Sequence, residues 1–276
     1  FQAEDGIRDV AVTGVQTCAL AIYLRYGRTL ARLAAAGSAK PAPITGLPRL
    51  SKGAQPEWLG KKVLAAAGMR IPAGDLAKTA DEAVAIAKRI GFPVALKAQS
   101  ATLTHKTEAG GVLLNIADEK AMREGWTKLM ANVAKAAPDV KLDGALVEVM
   151  SPRGVELMVG AKRDPQWGPV LLVGLGGIWV EALGDVRLLP PDLPEAEIVD
   201  EIFKLRTAKL LKGFRGSPPA DVEAVARAAA TVGRLMLTVP EIVEIDINPL
   251  FAHARGEGIT AVDALRSEEH TSELQS

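Results

Sequence analysis

The chain has one cysteine among its 276 residues, Cys18. No disulfide can form within it, and no pair of thiols is available for a metal or a redox couple. Aromatic residues make up 4%, so a core has to be assembled from Ala, Val, Leu and Ile. No apolar run approaches the roughly 18–20 residues that span a bilayer. The formal net charge is zero, which gives no reason to expect a nucleic-acid partner. A G-x-x-x-x-G-K-[ST] loop is absent, and Gly174-Leu175-Gly176-Gly177 does not extend into a Gly-x-Gly-x-x-Gly pattern. Those glycines read as a tight turn between strands rather than as a dinucleotide fingerprint. No internal repeat is visible. The lack of thiol chemistry fits a cytoplasmic protein.

The two ends read differently from what lies between them. Residues 1–22 (FQAEDGIRDVAVTGVQTCALAI) resemble the conceptual translation of a common sequencing adapter, with Ala21 where that translation has proline. Residues 266–276 (RSEEHTSELQS) resemble the translation of its partner adapter. Both are set aside from fold reasoning as artefacts. Cys18 and His270 go with them, leaving His105, His253 and 31 basic against 27 acidic residues, about +4. Residues 23–50 combine an Ala/Arg-rich helical stretch with a linker holding Pro41, Pro43 and Pro48. They are expected to be the tail of a lost upstream domain.

From about Pro56 the pattern becomes regular. Trp58, Leu59, Val63, Leu64 and Ala67 recur at helical spacing until Gly68. A second helix opens at Thr79-Ala80-Asp81-Glu82 and closes at Gly91, and a third runs from about Glu119 to Ala136. Strands are expected at 145–149, 155–161, 170–173, 178–181, 186–189, 242–247 and 259–262, with helices at 195–211 and 221–237. This interleaving is α+β, with two helix-backed sheets rather than one doubly wound sheet.

The stretch with most chemistry is PVALKAQSATLTHKTEAGGV, residues 93–112. An apolar strand ending in Lys97 meets a small-residue loop with His105, Lys106 and Gly110-Gly111, then a second strand from Val112 to Ile116. Lysine charge and close-approaching backbone N–H groups are what an anionic phosphate needs. Further on, Glu148 and Glu156 each sit among hydrophobic neighbours, flanking the turn Ser151-Pro152-Arg153-Gly154. A buried carboxylate there requires donors, which an adenine or ribose supplies; Glu156 can equally pair with a basic residue. Third, VEIDINPL (243–250) alternates apolar Val243, Ile245 and Ile247 with Glu244, Asp246 and Asn248. Hard oxygen donors of this kind, with Asp263 at the end of the next strand, suit Mg²⁺. His253 lies beyond, in a polar Ala-Arg-Gly-Glu-Gly turn, and reads as surface.

Together these motifs resemble the ATP-grasp fold, specifically its version in ADP-forming acyl-CoA synthetases and succinyl-CoA synthetase β chains, over residues 51–265. The resemblance implies two α+β subdomains, 51–147 and 148–265, with ATP or ADP bound between them. It implies Lys97 at the phosphates and Gly110-Gly111 in the loop over them. Glu148, Val149 and Met150 fall at the adenine hinge, Glu156 near the ribose, and Asn248 and Asp263 at Mg²⁺. His105, in the matching HK-x-x-x-GG loop, is implied to relay phosphoryl between sites. The implied reaction, acyl-CoA + ADP + Pi ⇌ carboxylate + CoA + ATP, requires a CoA-binding and ligase partner not found in this sequence. Neither nucleic acid nor membrane is implied as a partner. Two other readings share the nucleotide fold: the regulatory half of a protein acetyltransferase, and a carboxylate–amine ligase that needs no histidine.

Overall fold

The computed structural model describes residues 41–49, 53–103, 106–166, 168–176, 184–214 and 216–264. The adapter-like ends, the helix expected at 23–36, the strand expected at 178–181, Gly177 and His105 lie outside these residues. Two compact units emerge from the described chain. One holds Leu47–Arg153 together with residues 260–264, and the other holds Gly154–Ile259.

The first unit begins with helix α1 (Glu57–Ala66) and strand β1 (Gly74–Ala77), then α2 (Ala80–Ile90) and β2 (Val94–Gln99). It continues with β3 (Val112–Ile116), α3 (Glu119–Ala136) and β4 (Gly144–Val149). Helix α2 starts where the sequence places it, because the Thr79 hydroxyl accepts from the backbone N–H of Glu82. The Glu82 carboxylate in turn accepts from Lys78 N–H, so two N-terminal donors are satisfied by one short motif. Asp118 caps α3 in the same way through Ala121 N–H. The four strands form an antiparallel sheet in the order β1-β4-β2-β3.

Alternation along β2 divides this unit in two. Val94, Leu96 and Ala98 join Val84, Ala87, Met122, Leu129 and Val133 in the core beneath α2 and α3. Ala95, Lys97 and Gln99 point to the opposite face, as successive residues of a strand must. All six residues of β2 are nevertheless buried. The strand also runs two residues past Lys97, where the sequence alone placed its end, because Ala98 and Gln99 pair with Ala145 and Gly144 of β4. Lys97 is therefore an interior strand residue.

In the second unit, β5 (Val155–Asp164), β6 (Gly168–Leu175) and β7 (Val186–Leu189) precede α4 (Glu195–Ile202) and α5 (Ala208–Leu211). Helix α6 (Val222–Thr238) and β8 (Glu244–Ala252) follow, then β9 (Ile259–Ala261), whose first residue is this unit's last; the sheet order is β7-β6-β5-β8-β9. The apolar stripe of α6, including Val225, Ala229, Val232 and Met236, is buried.

Four local expectations change here. The helix expected over 195–211 is broken between Phe203 and Thr207, because the Asp185 carboxylate accepts from the backbone N–H groups of Arg206 and Thr207 and from the Thr207 hydroxyl. A buried carboxylate that needs donors outcompetes helix propensity. Strand β8 continues through Pro249 to Ala252. Between Ile247 and Leu250 β8 carries one residue more than β5 does between Val159 and Leu157, and such a bulge is a place where a strand tolerates proline. Gly174 lies inside β6 rather than in a turn: a Cβ there would stand 2.7 Å from Cγ1 of Val186 on β7.

His253 is buried, not superficial. Its N–H donates to Gly258 O and its carbonyl accepts from Asp221 N–H. The turn beyond it closes on the Asp221 carboxylate through Gly256 and Gly258 N–H.

Candidate nucleotide site

Lys97 projects from the face of β2 that α1 covers. Each of its three ammonium protons has an acceptor: Glu57 Oε1 at 2.9 Å, Glu148 Oε1 at 2.6 Å and the carbonyl of Val262 at 2.9 Å. Glu148 also receives Lys61 Nζ, one helical turn along α1 from Glu57. Lys61 lies 2.8 Å from Glu57 Oε1. The other oxygen of Glu57 takes Lys106 Nζ at 2.6 Å and the Gln99 amide at 3.3 Å. Gln99 is oriented through its own oxygen, which accepts from Trp58 N–H at 3.0 Å. Lys106 also faces both oxygens of Asp263, each at 3.5 Å.

Three lysines and three carboxylates are thus gathered from α1, β2, β4, the loop before β3 and the segment after β9. Buried charges are tolerated only when paired and hydrogen-bonded, and here the formal charges balance. Burial works against ionisation of Glu57, yet Lys97, Lys61 and Lys106 around it hold its carboxyl well below the usual carboxylate range. Burial also disfavours the charge on Lys97, but Glu57 and Glu148 hold its ammonium well above the ordinary lysine value. Lys106 is raised too: burial is outweighed by Asp263 and Glu57.

A pH dependence follows from these directions. A carboxyl whose folded value is depressed contributes stability that is present above its unfolded value, about 4.3, and lost as pH falls through the folded one. Lysines with raised values contribute stability that is complete below about 10.4 and lost as pH rises through their folded values. Thermal unfolding followed by circular dichroism should show a melting temperature that falls below about pH 4, with a shallower acid limb in Glu57→Gln. Identical acid limbs would show that Glu57 is not held ionised by the lysines.

The sequence-predicted residues are placed as follows. Lys97, Gly110, Gly111, Glu148, Val149, Met150 and Asp263 fall in the first unit, and Glu156 and Asn248 in the second. Glu148 is buried as expected, but its donors are Lys61 and Lys97. Val149 and Met150 N–H donate to Ala73 O and Pro93 O. Glu156 is exposed on β5, and Asn248 is half-buried on the polar face of β8.

Gly110 adopts φ 64°, and a Cβ there would approach the Asn132 amide nitrogen to 2.7 Å. That amide donates to Gly110 O, so the double glycine seats the loop end against α3. A shallow pocket opens beside the ion cluster, lined by Trp58, Lys61, Ile71, Pro72, Leu146 and Glu148.

Glu57, Lys61 and Gln99 escaped sequence reading. Glu57 and Lys61 sit four apart on α1, a spacing that reads as an ordinary surface pair. Nothing local indicates that this helix face is closed over a strand carrying a third charge.

A double subdomain with paired antiparallel sheets and a lysine-bearing strand–loop–strand defines the class. A model of the ATP-grasp domain matches residues 51–265, and the chain belongs to that family. Within it, the chain groups with the β chains of ADP-forming acetate–CoA ligases. It is 39% identical over 204 residues to subunit β of acetate–CoA ligase [ADP-forming] I from Pyrococcus furiosus, covering 74% of this chain and 87% of that subunit. It is 40% identical over 268 residues to a trans-feruloyl-CoA synthase from an unknown prokaryotic organism. That match takes in 95% of this chain, including part of the adapter-like ends, and the chain spans 37% of that relative. Among solved structures, the dinucleotide-forming acetyl-coenzyme A synthetase 1 of Ca. Korarchaeum cryptofilum, in complex with coenzyme A, Ca-AMPCP and HgCl+, superimposes with a TM-score of 0.75 at 37% identity. It covers 79% of this chain and 94% of its own. Among the described residues no helix is long and apolar enough to cross a membrane.

Proposed function

We propose that this chain is the nucleotide-binding, phosphoryl-transferring part of an ADP-forming acyl-CoA synthetase, working with a CoA-binding and ligase partner on a carboxylic acid and CoA. The observation that carries the proposal is the buried lysine group on β2 and its following loop, gathered beside Asp263 in a chain of this family. Lys97 supplies charge at the floor of the phosphate site. A direct bond from it to a phosphate oxygen requires one of its three present acceptors to be exchanged. Gly110 and Gly111 set the loop, Glu148 to Met150 and Glu156 serve the nucleoside end, and His105 receives phosphoryl and passes it on.

The donor set fits a magnesium ion. The Asp263 carboxylate is partly exposed, and the cation paired with it among the described residues, Lys106 Nζ, stands at 3.5 Å; Asn248 is the second ligand of this proposal. Mg²⁺ typically takes few protein ligands and keeps water and phosphate oxygens. When bound, the ion neutralises phosphate charge. Calorimetry with ADP should show binding that requires Mg²⁺ and is weakened about tenfold or more by Asp263→Ala, the scale of one charge-assisted contact. Metal-independent binding, unchanged in that variant, would remove Asp263 from the site.

A further inference from the structure

We infer that Glu57 is the positioning residue for Lys106, and that Lys106 is the lysine whose ammonium is set to meet an anionic oxygen of the nucleotide. This rests on the nucleotide reading above and concerns which side chains serve that site.

The two phosphate-side lysines are held very differently. Lys97 is closed off by three acceptors within 2.9 Å. Among the described residues Lys106 has one short partner, Glu57 Oε2 at 2.6 Å, and otherwise the 3.5 Å approach of Asp263. An ammonium carries three donors, so Lys106 retains hydrogen-bonding capacity that Lys97 lacks. Its side chain is also 19% exposed, against 8% for Lys97. Lys106 is thus both reachable and able to donate.

What fixes its position is Glu57. Both Glu57 oxygens carry two donors each: Lys61 and Lys97 on one, Lys106 and the Gln99 amide on the other. A carboxylate with about four lone-pair sites is saturated by these. With a side chain 2% exposed, Glu57 is not available to touch substrate itself. Its effect passes through the lysines. For Lys97 it is one anchor of three; for Lys106 it is the one short anchor among the described residues. Removing the Glu57 charge leaves Lys97 on Glu148 and Val262 O but lets Lys106 swing on its stem toward Asp263 or solvent. Orientation is what a long lysine side chain loses most readily.

A double-mutant cycle on Mg-ADP affinity, read by calorimetry, tests this. Glu57→Gln should weaken ADP about tenfold in the wild-type background and less than twofold in Lys106→Ala, because coupled residues are non-additive. If Glu57 merely stabilised the unit, the two losses would multiply, and that result would overturn the assignment. Lys106 should also become measurably more reactive toward an amine-acetylating reagent in Glu57→Gln, scored by mass spectrometry. Unchanged reactivity would overturn the positioning role without reference to any nucleotide.

Should Glu57→Gln fail to fold, Glu57→Gln/Lys61→Met removes one anion and one cation together and keeps the cluster neutral. The same non-additivity is expected from it. Wild-type protein that binds no Mg-ADP would overturn the nucleotide reading, and this assignment with it. Binding by wild type that Lys106→Ala leaves unchanged would overturn this assignment alone.

Discussion

His105→Ala, supplied with the proposed CoA-binding partner, should keep Mg-ADP binding and lose phosphoryl exchange between ATP and acyl phosphate by several orders of magnitude. The reasoning is chemical. If the nucleotide site and the ligase site are apart, some nucleophile must take phosphoryl from one and give it to the other. A covalent intermediate splits that transfer into two short steps. His105 is the histidine in the lysine- and glycine-bearing loop, whereas His253 is buried against Gly258 and Asp221 in the other unit. Nucleotide affinity should survive because Lys106, Lys97 and Asp263 remain. Labelled phosphate from ATP should appear on the wild type as an acid-labile, base-stable adduct and be missing from the variant. Full exchange by His105→Ala would reject the relay and leave the nucleotide site standing. A regulatory module or an amine ligase would give no such adduct even in the wild type.

Lys97→Met should cost the first unit roughly 3–5 kcal/mol, the usual result of removing one partner from a buried ion pair. It strands Glu148 with Lys61 alone and takes one of three cations from Glu57. For a domain of this size that corresponds to a fall in melting temperature of roughly 6–20 °C. Nucleotide affinity, measured where the variant is still folded, should fall roughly 10–150-fold, the scale of one charge-assisted contact. Adding Glu148→Gln should recover much of the stability, since it removes the orphaned charge, but not the affinity. A melting temperature unmoved by Lys97→Met would mean that the lysine is not the centre of the cluster. Recovery of affinity by the second substitution would mean that Lys97 serves only the fold.

How much of this was legible in the sequence differs by kind of interaction. Caps and periodicity were read directly: Thr79 starts its helix, and Val112–Ile116 and Glu119–Ala136 form the elements their patterns indicate. These are short-range effects, settled by residues three or four apart. The polar face of β8 was legible for the same reason, because strand alternation needs no partner to be counted. Local reading failed where a distant group decided. The helix beyond Glu195 breaks because Asp185, ten residues before it, takes its N–H groups. Pro249 is accommodated because β8 bulges there, with Asn248 and Pro249 facing the single Met158 of β5.

The motifs Lys97, His105-Lys106, Gly110-Gly111, Glu148 and Asn248 were enough to fix the family, since each is a compact run with its own chemistry. The environment of those motifs was not there to be read. Lys97 looked like the charged end of a strand; the structure makes it the centre of a charge-balanced cluster with Glu57 and Lys61 from α1, forty and thirty-six residues before it. A charge's partners are set by which faces are brought together across the sheet. A buried charge has to find an opposite charge or a hydrogen-bond partner, and that requirement acts across the fold rather than along the chain. Sequence alone therefore determined which chemistry is present, and tertiary structure decided which of its lysines is locked and which is left able to act.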